Sequence, residues 1–150
     1  FRRVLFRSLI NNIKQNYVHY EYDFTQEENE VKLIWYNSVN YLGCGFYDCS
    51  NITYADLSHF NSSDVESIHS MFDGCKKLKY INFNNFDTSN CRSMNHMFSR
   101  CTSLISLDLS SFNTIKLEDI REMFCGCNHL QYLNLKNFEL KDNLKHFKTL

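Results

Sequence analysis

A single spacing governs this sequence, because the pattern L-x-x-L-x-L-x-x-F recurs every 26 residues. Its copies start at residues 52, 78, 104 and 130, with Ile, Ala or Phe replacing Leu at some apolar positions. Three further sets of residues recur at the same 26-residue spacing, and we call each set a column. They are an aromatic column at Phe46, Phe72, Phe98 and Phe124, a second aromatic column at Phe60, Phe86, Phe112 and Phe138, and a cysteine column at Cys49, Cys75, Cys101 and Cys127.

A constant repeat of this length is typical of leucine-rich-repeat solenoids, in which like residues of successive copies lie side by side. Residues 79–83 predict a strand with Ile81 and Phe83 inward, while apolar residues at helical spacing over 91–101 predict a short helix. The sequence therefore predicts an α/β leucine-rich-repeat solenoid, with a parallel β-sheet on one face and short helices on the other. We expect the aromatic and cysteine columns to form internal structural ladders, in which equivalent side chains of successive copies stack on one another.

The ends of the chain depart from the repeat. Residues 1–8 resemble the translation of a sequencing-library adapter, so we leave them out of the fold prediction and treat the chain as a fragment. Residues 9–30 predict a capping segment, with a short helix over 9–15 and a strand over 17–24. The repeat phase begins at Val31, which gives an array over 31–138, and 139–150 is a degenerate repeat or a truncated continuation.

Composition excludes several classes of protein. The chain is 43% hydrophobic and 15% aromatic, which is ample for a packed core. With a formal charge of −1 it offers no basic footprint for nucleic acid. No apolar run approaches the length of a membrane span.

Several phrases of the repeat resemble a known family. Residues 71–75 (MFDGC), 86–90 (FDTSN) and 107–112 (LDLSSF) are similar to the repeat of BspA-like leucine-rich-repeat surface proteins, including Mycoplasma-type surface lipoprotein repeats. The resemblance spans about residues 31–138. It implies a cell-surface or secreted location and adhesion to other cells or matrix.

The residues that could carry chemistry favour packing over catalysis. One cysteine per copy lacks the converging C-x-x-C or Cys/His spacing of a metal site, which favours small apolar core thiols over disulfides and over metal ligands. We therefore expect no metal, no cofactor and no catalytic residue. A Cys/His nucleophile pair stays open, because such partners meet in space and not in sequence.

The outward-facing strand residues are the better candidates for a binding site. Their pattern places an aromatic column beside a small polar column, which is common at recognition surfaces, although Tyr also simply favours strands. The predicted ligand-binding face comprises Tyr54, Asp56, Tyr80, Asn82, Ser106, Asp108, Tyr132 and Asn134. Two N-x-S/T triplets, at Asn51 and Asn61, are candidate glycosylation sites.

Together these observations predict a non-enzymatic recognition and adhesion module whose strand face binds a protein or glycan on another cell or matrix. The alternative is an intracellular leucine-rich-repeat scaffold for protein interaction. A cysteine hydrolase is a more distant alternative.

Overall fold

The computed structural model describes residues 6–10, 13–14, 31–35 and 39–139. The chain forms two compact units, Phe1–Ser38 and Val39–Leu150. Within the described residues there are seven strands and no helix.

The first unit contains a three-stranded antiparallel sheet in the order β2-β1-β3. Its strands are β1 (Phe6–Ile10), β2 (Ile13–Lys14) and β3 (Val31–Trp35). β1 and β3 pair along their whole length, from Phe6 opposite Trp35 to Ile10 opposite Val31. The helix predicted over 9–15 was therefore wrong, because Leu9 and Ile10 on β1 pair with Lys14 and Ile13 on β2. The strand predicted over 17–24 lies outside the described residues.

The second unit contains four strands of three residues each. They are β4 (Tyr54–Asp56), β5 (Tyr80–Asn82), β6 (Ser106–Asp108) and β7 (Tyr132–Asn134). β4 pairs with β5, and β6 pairs with β7, in parallel and with partners 26 residues apart. Isolated parallel bridges join Tyr41 to Ser67, Ser67 to Ser93 and Ser93 to Asp119.

The predicted fold class was wrong. An α/β leucine-rich-repeat solenoid requires a helix in each copy and a continuous parallel sheet, whereas the described part of the second unit has two separate two-stranded sheets and turns where helices were expected. The apolar spacing over 91–101 comes from those turns.

Backbone hydrogen bonding explains why the described part of the second unit forms turns and not helices. In an α-helix every N–H donates to the carbonyl four residues earlier. Here the N–H of Phe72 donates to Met97 O in the next copy (2.9 Å), while the N–H of Asp73 donates to Ser70 O in a local turn (3.2 Å). This alternation recurs in the neighbouring copies and uses the donors that a helix would need. The turns also place Ser70, His96 and Glu122 in the left-handed region, at φ of 50°, 55° and 53°.

Candidate functional site

The exposed tyrosines of the predicted binding face lie on the outer side of the short strands. Tyr54 and Tyr80 are direct partners in the β4–β5 ladder, and their side chains are 55% and 48% exposed. Tyr132 on β7 is 56% exposed and pairs with the half-buried Ser106 on β6. Large aromatic rings on rigid backbone provide contact area at little entropic cost, so this column suits recognition.

The neighbouring polar column alternates carboxylate and amide. Asp56 is the ladder partner of Asn82, and Asp108 is the partner of Asn134. The Asn134 amide also donates to Asp108 Oδ2 at 3.2 Å. Both carboxylates are exposed, whereas both amides are half-buried. The amide oxygens of Asn82 and Asn134 accept from the N–H groups of Asn84 and Lys136, at 3.0 and 3.1 Å, so the carboxylates are the exposed acceptors of this column.

Local turns fix the orientation of the two carboxylates. The Ser58 N–H donates to Asp56 Oδ1 at 2.9 Å, and the Ser110 N–H donates to Asp108 Oδ1 at 2.8 Å. Hydrogen bonds from Ser58 lower the pKa of Asp56, and those from Ser110 lower the pKa of Asp108. Both groups are therefore anionic at neutral pH, which favours a partner with hydrogen-bond donors.

The first aromatic column forms a buried stack behind this face. Phe72 lies between Phe46 and Phe98, with ring centroids 5.1 and 6.1 Å away, and Phe124 continues the stack at 5.7 Å from Phe98. The rings are within 6° of parallel. In the second column, Phe86 stacks between Phe60 at 6.0 Å and Phe112 at 6.2 Å, while Phe138 is half-buried beyond them. Phe83, which directly follows β5, meets Phe72 edge-on at 6.3 Å and Phe86 at 5.4 Å, so both stacks contact the residue next to the strand that carries Tyr80.

The cysteine column bonds to the first aromatic column. The thiols of Cys75, Cys101 and Cys127 donate to the carbonyls of Phe46, Phe72 and Phe98, at 3.0, 3.1 and 3.1 Å. All seven cysteines are free thiols, and Cys49 at the start of the column is exposed. Burial raises the pKa of Cys75 to about 12 and that of Cys127 to about 11. These thiols are therefore protonated, polar members of the core.

A buried hydroxyl column was missed by the sequence analysis. Thr88 Oγ1 accepts from the Asn113 N–H at 2.8 Å and donates to Asn113 O at 3.1 Å. Thr114 makes the same pair of bonds with Glu139, at 3.0 and 2.6 Å. Thr88 and Thr114 are 1% and 3% exposed. The signal in the sequence was a threonine that recurs 26 residues apart, at positions 88 and 114.

The two candidate glycosylation sites differ in their surroundings. Asn51 is exposed, and its Oδ1 accepts from Lys77 Nζ at 3.0 Å. Asn61 is also exposed, but its Oδ1 accepts from both the N–H and the hydroxyl of Ser63, at 3.2 and 2.9 Å. Both residues are exposed, and glycosylation at either remains a prediction.

Two further features are absent from the part of the chain that the structure describes. No group of three or more His, Cys, Asp or Glu residues there could hold a metal ion. No helix there is long and apolar enough to cross a membrane.

Comparison with known proteins gives one match. A family model described as "Mycoplasma protein of unknown function, DUF285" matches residues 41–149, which is more than two thirds of the chain. That description names neither leucine-rich repeats nor adhesion. No curated protein and no solved structure matches this chain.

Proposed function

This chain belongs to the DUF285 family of Mycoplasma proteins of unknown function, and we propose that it is a non-enzymatic recognition module whose strand face binds a protein or a glycan. The observation that carries the proposal is the exposed column of Tyr54, Tyr80 and Tyr132 beside fixed carboxylates. Each of these tyrosines is about half exposed, and Tyr54 and Tyr80 are direct partners in one parallel ladder. Interfaces are enriched in such tyrosines, and the most effective ones lie on preorganised surfaces.

The chemistry of the face supports binding rather than turnover. Asp56 and Asp108 lie at two exposed positions on separate two-stranded sheets, and each is already hydrogen-bonded by a backbone N–H. Their lowered pKa keeps them as acceptors, so neither is suited to act as a general acid near neutral pH. A ligand rich in hydroxyl or N–H donors is complementary to this surface.

A cell-surface location and an adhesive role form the second part of the proposal. They rest on the wording of the repeats, such as residues 86–90 (FDTSN), which resembles BspA-like surface proteins. Antibody staining of intact cells that express the native protein tests the location. Staining only after permeabilisation would favour the intracellular scaffold instead.

A double variant tests the binding face. Tyr80→Ala with Tyr132→Ala should weaken binding to epithelial cell layers and to immobilised matrix proteins or glycans by about tenfold or more, since each exposed anchor contributes 1 kcal/mol or more. Thermal unfolding should change little, because both rings are about half exposed. Tyr47→Ala is the matched control, since this 49% exposed tyrosine lies outside the strand face. Unchanged binding by the double variant, or an equal loss in the control, would refute the assignment of this face.

A further inference from the structure

A surface cluster outside the strand face brings a thiol and an imidazole together. Cys44 Sγ lies 3.6 Å from His69 Nε2, and Ser67 Oγ lies 3.2 Å from His69 Nδ1. The Tyr41 hydroxyl is 3.1 Å from both ring nitrogens. A nucleophile, a base and a group that orients the base are thus arranged in order, which is the general geometry of an activated thiol.

The first copy of the repeat has space for this imidazole because Gly43 carries no side chain. A Cβ placed on Gly43 would lie 2.5 Å from His69 Cε1, so a residue with a side chain at position 43 would displace the ring. The equivalent positions in the next copies are His69, Asn95 and Arg121, which carry side chains. The thiol is exposed, and the Cys44 backbone is held by its own N–H bond to His69 O at 2.9 Å.

We propose that Cys44 and His69 form a thiol–disulfide exchange site, which takes an accessible disulfide of a partner protein or of a small peptide thiol as its substrate. His69 Nε2 accepts the Cys44 proton, and the thiolate attacks one sulfur of the partner's disulfide. The Cys44–S bond to the partner forms as the partner's S–S bond breaks. The leaving thiolate takes up the proton from His69, so the disulfide itself is the oxidant and the product is a mixed disulfide.

The backbone around the Cys44 thiol favours disulfide exchange over ester or peptide hydrolysis. Hydrolysis through an acyl-thiol needs free N–H donors that stabilise an oxyanion. The N–H groups of Cys44 and Gly45 are already donated, to His69 O at 2.9 Å and to Leu42 O at 3.2 Å. Disulfide exchange develops no oxyanion, so it requires only an accessible thiol with a base.

The environment of Cys44 keeps its thiol protonated, so the thiol needs the His69 imidazole as a base. Partial burial, and then the Asp73 carboxylate, raise the pKa of Cys44. Asp73 itself pairs with Arg100, with Nε 2.8 Å from Oδ1. The resting thiol is therefore protonated, and removal of its proton by His69 is the step that makes it reactive. Once formed, a thiolate with a raised pKa is the stronger nucleophile.

The test is a comparison between Cys44 and Cys49, which is also exposed but has Asp48 as its charged neighbour. The whole native chain is incubated with glutathione disulfide near pH 7.5, quenched with acid and mapped by peptide mass spectrometry. Cys44 should acquire the mixed disulfide about tenfold or more faster than Cys49, since a positioned base contributes at least this much. Equal rates at the two cysteines would overturn the proposal.

Variants of the base complete the test. His69→Gln should lower the Cys44 rate about tenfold and bring it close to the Cys49 rate. Ser67→Ala leaves the ring in place and removes one orienting bond, so a smaller fall is expected, and it keeps the test valid if His69→Gln fails to fold. His59→Gln is the control for loss of an exposed histidine. An unchanged rate in both His69→Gln and Ser67→Ala, or multiple turnovers of p-nitrophenyl acetate by the native chain, would refute exchange as the role of this pair.

Discussion

Truncation of the central ring of the first aromatic stack tests how the second unit is stabilised. Phe98 is fully buried, stacks on Phe72 at 6.1 Å and on Phe124 at 5.7 Å, and meets Phe83 edge-on at 6.1 Å. Replacing a buried Phe with Ala costs about 3–5 kcal/mol in total, and variants that also lose aromatic pairs lie in the upper part of this range. Three pairs are lost here, so Phe98→Ala should cost about 4–5 kcal/mol of unfolding free energy.

The matched control is the first ring of the same stack. Phe46 is half-buried and stacks on Phe72 at 5.1 Å, so Phe46→Ala should cost no more than about half as much. Urea unfolding followed by far-UV circular dichroism measures both values, and an unchanged slope would show that the same surface is exposed. A Phe98→Ala cost within about 1 kcal/mol of the Phe46→Ala cost would refute the view that stacking on both faces is what stabilises the unit.

Two further predictions concern polar groups. Thr88→Val should cost about 1–3 kcal/mol because it removes two hydrogen bonds between the buried Thr88 hydroxyl and the backbone of Asn113, each worth about 0.5–1.5 kcal/mol. Thr88→Ser should retain most of the stability, and urea unfolding of the two variants checks this. Asp108 has a lowered pKa in the folded chain, so its stabilising effect is complete above the unfolded pKa of about 4 and disappears as the pH falls through the folded value. Asp108→Asn should therefore lower the melting temperature near pH 6 and leave it unchanged at the lowest pH at which the chain stays folded, and an equal fall at both would contradict the assignment.

The sequence predicted which side chains of successive copies lie side by side, but it did not predict the backbone conformation. A constant spacing identifies equivalent residues, and in the structure Phe72 lies beside Phe46 and Phe98, each 26 positions away. The same spacing cannot distinguish a helix from consecutive turns, because both place an apolar residue inward at about every third or fourth position. The structure distinguishes turns from a helix through the Phe72 N–H, which donates to Met97 O in the next copy. No local sequence pattern predicts that hydrogen bond.

The sequence predicted one of the two candidate sites but not the other. The column of Tyr54, Tyr80 and Tyr132 could be named in advance, since strand alternation assigns outward positions once the inward ones are known. The pairing of Cys44 with His69 could not, because it occurs in one copy and depends on the space left by Gly43. Features that repeat are visible in a single sequence, whereas features that break the repeat need coordinates.

The hydrogen bonds between copies limit which changes of length the gene can accept. Each copy supplies carbonyl groups to its predecessor at a fixed 25-residue offset, as Met97 O does for the Phe72 N–H. Inserting or deleting one residue within a copy would move every later column out of phase and leave phenylalanine facing cysteine or solvent. Gaining or losing a whole copy preserves every pairing. Natural length variants should therefore differ by whole 26-residue units.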